Sequence, residues 1–225
     1  METILRKCQE LGVQFQDDVF KHNASSLIAN AFEEEGHKKM VAKNWTSITW
    51  KKASEIPLLK AKSGILEIFP ELVTPSDVVQ GGLGDCWFLT TISALAEYPQ
   101  RIKRLFLNDK HETNAANIYG VKICKNGIWE NVIVDDWLPV RNNQPVFSKS
   151  NGKFLWVPII EKAYAKVHGS YKAIESGNID EAMRDLTGAP SFQIKTSEKS
   201  EDDLWRIIKR CDEKKFVLSC SVHTT

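Results

Sequence analysis

The sequence predicts an α+β fold, a mostly helical body with a β-hairpin set into it. Two apolar runs carry the helical half of that prediction. Residues 88–96 (FLTTISALA) form one, and residues 155–167 form the other, with Trp156, Ile160, Ala163, Tyr164 and Val167 recurring at helical spacing and Gly169 placed to stop the helix. The strand half rests on residues 117–124 (NIYGVKIC) and 128–134 (IWENVIV). Between them lies Lys125-Asn126-Gly127, and Asn-Gly suits the type I′ turn of a two-residue hairpin.

A chain of 225 residues is long enough for one to two domains and a substantial core. Its 30 basic and 29 acidic residues leave a net charge of +1, which gives no electrostatic case for nucleic acid or a membrane surface as main partner. The opening METILRKC lacks the apolar region of a signal peptide, and no stretch approaches the roughly 20 apolar residues of a membrane span. The five cysteines are scattered, with no CxxC pair, which argues against a disulfide scaffold and a zinc site. A cytoplasmic protein is expected.

In chain order, residues 1–34 read as amphipathic helix interrupted at 16–20, and 33–39, including His37, as a charged turn. Prolines at 70 and 75 make 65–79 an extended loop. A short helix is expected over 99–107, a strand-end turn at Asp135-Asp136, and a polar loop over 141–153. His168 suits the negative end of the helix before it. A further amphipathic helix over 201–210 and an apolar strand over 216–222 complete the chain. There are no internal repeats.

The stretch that reads as chemistry is QGGLGDCWFL, residues 80–89. Its three glycines let backbone approach a ligand closely. Asp85 can cap a helix whose first turn holds Cys86. A thiol there feels the positive end of the helix dipole, which favours the thiolate that attacks carbonyls. The Gln80 amide and the Cys86 backbone N–H could converge as an oxyanion hole. A lone cysteine before an apolar run is ordinarily a buried structural residue; the glutamine, the glycines and the following Trp87 reverse that reading.

QGGLGDCWFL resembles the nucleophile motif of the calpains, Q-G-x-L-G-D-C-W, with every fixed position present. Similar phrases follow along the chain. Phe15 to Phe20 resembles F-x-D-x-x-F, and Trp45 to Trp50 a tryptophan-containing extended segment. Residues 134–139 resemble V-D-D-x-L-P, residues 155–171 resemble L-W-x-x-x-x-E-K-A-Y-A-K-x-x-G-x-Y, and Asp185-Leu186-Thr187-Gly188 resembles D-x-T-G. The resemblance implies a papain-like cysteine protease fold whose second lobe is truncated. It divides the chain into an N-terminal helical segment (1–20), the nucleophile lobe (21–190) and the start of a second lobe (191–225). It implies calcium-dependent endoproteolysis of intracellular proteins, with Cys86 as nucleophile, Gln80 as oxyanion-hole donor, and Asp77 and Glu161 as calcium ligands. One departure is Pro75, which stands where family members often carry arginine.

The base and its orienting partner lie, in that family, in G-H-[AS]-Y and N-P-W segments, and neither occurs here. His223 aligns with a non-catalytic position. The isolated chain is therefore expected to hydrolyse little. The alternative is a non-catalytic calpain-like module that binds a substrate, a full-length calpain or an inhibitor protein.

Overall fold

The computed structural model describes residues 1–28, 45–59, 66–108 and 113–221. Helix α1 (Glu2–Leu11) ends where Gly12 turns left-handed, φ 66°. It lays Ile4, Leu5 and the buried Cys8 against Ala116 and Ile118 in a small satellite core. A single turn, α2 (Ala24–Leu27), starts where Asn23 accepts the Ser25 N–H at 2.9 Å. Strand β1 (Thr49–Lys52) follows, then the short β2 (Val78–Val79), α3 (Cys86–Ala96) and α4 (Pro99–Lys103). The hairpin is β3 (Ile118–Lys125) and β4 (Ile128–Asp135); Asn126 and Gly127 take φ 53° and 80°, as a type I′ turn requires. After it come β5 (Trp137–Arg141), β6 (Gln144–Pro145), β7 (Lys149–Ser150), α5 (Trp156–Val167), α6 (Ile179–Thr187) and α7 (Glu201–Glu213).

The strands form three small antiparallel sheets, β1-β5-β6, β2-β7 and β3-β4. They surround α5, which is buried on every side from Trp156 to Ala165. Helix α3 packs on it through Phe88, stacked on Tyr164 at 4.3 Å between ring centroids, and Trp87, edge-on to the same ring.

A helix buried all round must also bury its polar residues, and Lys162 has no exposed side chain. Its ammonium donates to Asp135 Oδ1 at 2.5 Å and to the Trp137 carbonyl at 2.7 Å. Asp135 in turn accepts the Asp17 N–H and His22 Nε2, both at 2.7 Å on Oδ2, and the Trp137 N–H at 3.1 Å on Oδ1. Burial alone would raise this carboxyl; the His22 hydrogen bond and the Lys162 charge overcome it and hold the group at about 2. The ionised carboxylate makes His22 Nε2–H the donor. Asp136 is less well served, its Oδ2 having no hydrogen-bond partner. Burial, then the charge of Asp135, pushes it up to about 6.

The structure departs from several sequence expectations. Helix α1 stops at Leu11, and Asp17, whose Oδ1 takes the Val19 and Phe20 N–H groups, holds the chain in a turn beyond it. The second helix of that stretch is the α2 turn as far as it is described; residues 29–44, with His37, lie outside the described residues, as does His223. The polar loop over 141–153 contains β6 and β7. No strand forms over 216–221, since no neighbouring strand lies along it among the described residues. Helix α7 buries none of its residues and leaves Trp205 and Ile208 exposed.

Lys162→Met leaves Asp135 buried without its counter-charge and should cost about 3–5 kcal/mol in urea unfolding. Wild-type stability should peak near pH 4, where Asp135 is ionised and Asp136 has only begun to lose its contribution. Asp135, depressed from 3.8 to about 2, loses its contribution as pH falls through that range. Asp136, raised to about 6, favours the fold at low pH and ceases to do so as pH rises through 6. Urea midpoints at pH 2, 4 and 8 measure both limbs.

Candidate active site

The loop before α3 is held between two other segments at distances only glycine allows. A Cβ on Gly81 would stand 1.7 Å from the Phe147 carbonyl oxygen, and the Gly82 N–H donates to the Val146 carbonyl at 2.7 Å. On the other side, a Cβ on Gly84 would meet the Glu175 carbonyl at 2.8 Å, and one on Gly177 would meet the Trp87 indole at 2.5 Å. The indole N–H donates to the Ile174 carbonyl at 3.1 Å, so buried Trp87 pins the first turn of α3 to the 174–177 loop. Cys86, one residue earlier, is exposed. As the first residue of the helix it leaves its N–H without an intrahelical acceptor.

Asp85 occupies the N-cap position, but its side chain makes no capping hydrogen bond. The expected cap is replaced by burial: Asp85 is fully buried and its carboxyl lies against that of Glu161. Burial pushes Asp85 up to about 6. Glu161 is raised well above the usual range by burial and then by the Asp85 charge, while the Ser148 N–H donates to its Oε1 at 2.9 Å. Neither Asp85 oxygen has a hydrogen-bond partner, and the charge of Asp85 is felt directly by Glu161. The loop carrying Cys86 thus meets α5 at this pair.

Gln80 is exposed, and its Nε2 donates to the Leu83 carbonyl at 2.9 Å. An amide has two N–H donors, so this contact uses one of them.

Asp77 sits at the end of a short 3₁₀ turn, where its Oδ2 accepts the Thr74 N–H at 2.8 Å. Its carbonyl accepts the Asn151 N–H at 2.7 Å. Asp77 and Glu161 thus flank the same extended segment, one at Asn151 and the other at Ser148, positions about 10 Å apart along a strand. The structure brings them to one region but does not gather Asp77 with Asp85 and Glu161 into a single cluster. In kind the donors suit calcium: buried carboxylates, with the Asp85, Ser148 and Ser150 side-chain oxygens near them lacking hydrogen-bond partners.

Two histidines lie among the described residues, and both are engaged elsewhere. His22 is held by Asp135. His168 accepts from Lys125 Nζ at 3.0 Å through Nε2, which leaves Nδ1–H to donate to the Tyr164 carbonyl at 2.9 Å. The same ammonium donates to Glu181 at 2.9 Å and Asp185 at 3.0 Å. Lys125 therefore fills the centre of the His168, Glu181 and Asp185 group as an internal cation and ties the hairpin to α6. Sequence reasoning missed this knot and the Asp85–Glu161 pair; the Asp185 of the D-x-T-G phrase was the signal available for the first.

An exposed thiol at a helix N-terminus, with an amide donor on the adjoining glycine loop, has the layout expected of the nucleophile side of a thiol hydrolase. Comparison with known proteins gives the family. Residues 15–225 match the family described as calpain family cysteine protease. The chain is 34% identical over 213 residues to the calpain-type cysteine protease DEK1 of Arabidopsis thaliana, covering 91% of this chain and 10% of that protein. It is also 34% identical over 224 residues to the calpain-1 catalytic subunit of Rattus norvegicus, covering 99% of this chain and 30% of that protein. The chain belongs to the calpain family of cysteine proteases, and it spans a third or less of the length of these relatives.

Gly81→Ala and Gly177→Ala should each cost about 1–3 kcal/mol by forcing backbone or Trp87 to move. Each should also change the alkylation rate of Cys86, whose turn is set by both contacts. Chemical denaturation and mass mapping of the alkylated cysteines read the two effects.

Proposed function

We propose that this chain is the nucleophile-bearing part of a papain-like, calpain-type endopeptidase acting on cytoplasmic proteins. The observation that carries this reading is the exposed Cys86 at the first position of α3, on a helix that buries most of its other residues in the core. As thiolate, Cys86 would attack a peptide carbonyl. The developing oxyanion would be met by the Cys86 N–H and the second N–H of Gln80, and the carbonyl bond would re-form as the amine leaves. Protonation of that amine needs a general acid. With His22 and His168 committed elsewhere, the reading assigns it to a histidine outside the described part of this chain.

Calcium, where bound, would be held by Asp77 and Glu161 and would supply a cross-link between the loop before the nucleophile and α5. The commitment of both described histidines favours a second reading as well, in which the chain binds polypeptide without cleaving it.

A limiting dose of iodoacetamide at neutral pH tests the first reading. Cys86 should alkylate at least tenfold ahead of the other cysteines, exposed Cys220 included. Equal rates at Cys86 and Cys220 would leave the binding reading. Titration calorimetry with calcium should give heat for wild type and none for Asp77→Ala; no heat from either removes the proposed site.

A further inference from the structure

Five residues separate Gln80 from Cys86, and an oxyanion hole works only if its two donors keep a fixed spacing. Both ends of that span lead to one buried side chain. At its start, the Gly82 N–H donates to the Val146 carbonyl at 2.7 Å, and Gly81 lies so close to the Phe147 carbonyl that no Cβ would fit. The next residue, Ser148, donates its N–H to Glu161 Oε1 at 2.9 Å. At the far end of the span, Asp85 is fully buried with its carboxyl against that of Glu161. Its backbone carbonyl accepts the Phe88 and Leu89 N–H groups that open α3.

The segment 146–148 is itself held in place. The Val146 N–H donates to the Pro139 carbonyl at 3.0 Å, and the Phe147 ring lies 4.5 Å from that of Tyr171. Midway along the span, buried Leu83 supplies the carbonyl that takes the Gln80 Nε2–H, so the direction of the Gln80 amide follows the shape of the loop. Stability alone does not account for a glutamate here. Burying two carboxyls side by side is unfavourable, and an apolar side chain of that volume would fill the same space at lower free energy.

We propose that Glu161 is a positioning residue for the Cys86 reaction. By holding Ser148 on one side and meeting Asp85 on the other, it sets the spacing of the Gln80 and Cys86 donors, with or without a bound metal. This role rests on the functions proposed above for those two residues.

Two reagents, both used in excess EGTA, separate donor spacing from thiol reactivity. Iodoacetamide loses iodide to the thiolate and forms no oxyanion. The ester p-nitrophenyl acetate is attacked at its carbonyl and passes through an oxyanion; S-acetyl-Cys86 remains, and p-nitrophenolate departs as an anion without a general acid. Mass mapping reads both rates at Cys86 and Cys220. Glu161→Met should lower the ratio of acylation to alkylation at Cys86 at least tenfold, as loss of an oxyanion donor does. Glu161→Gln should restore the ratio, since its amide can accept from Ser148 and donate to Asp85. Adding Glu161→Met to Gln80→Ala should lower the ratio no further than Gln80→Ala alone. Near-UV circular dichroism checks folding, and Glu161→Asp, which withdraws the carboxyl by one methylene, takes the place of Glu161→Met if that variant does not fold. An unchanged ratio in the folded variant, or an equal loss in Glu161→Gln, would overturn the positioning role and leave Cys86 as nucleophile. Wild-type Cys86 acylated no faster than exposed Cys220 would overturn the nucleophile reading, and this role with it.

Discussion

Asp135 is the point at which this fold is tied together. Its two carboxylate oxygens receive a lysine from the central helix, a histidine and a backbone amide from the N-terminal segment, and a backbone amide from the following strand. Desolvating a carboxylate and an ammonium is expensive, and the pair is tolerable because nearly every remaining lone pair and proton finds a partner. The price of that arrangement is register: β4, β5, α5 and the segment from Asp17 to His22 must all arrive together.

Helix α5 carries this organisation to the candidate active site. Its neighbouring residues Glu161 and Lys162 point in different directions, about 100° apart around the helix. Lys162 meets the Asp135 hub, and Glu161 meets Asp85 beneath the Cys86 loop. The placement of Cys86 thus depends on a helix that the hub holds in position. The Lys125 knot adds a third fastening at the far end of the same helix, through His168 and through Asp185, which also accepts the Tyr164 hydroxyl.

Much of this was legible in the sequence. The hairpin followed from Asn126-Gly127 and its alternating flanks, α5 from the spacing of Trp156, Ile160, Ala163 and Tyr164, and the close-packed loop before α3 from three glycines ahead of Cys86. What was not legible were interactions between residues distant in sequence. Asp85 reads as a cap because the residue before a helix usually is one; nothing local announces that Glu161, 76 positions later by the numbering, will lie against it. The strand expected over 216–222 does not form in its described part, 216–221, for a related reason, since an apolar run states a preference for pairing and supplies no neighbour.

Helix α7 and the residues after it bear on how the molecule behaves in water. Trp205 and Phe216 keep 66% and 63% of their surface exposed, and Phe192, just upstream, 85%. Each holds a shell of water that is released when two apolar surfaces meet. With a net charge of only +1, the molecule has little long-range repulsion to keep copies apart. This margin therefore favours association between copies, and added salt, by screening what repulsion there is, makes it stickier.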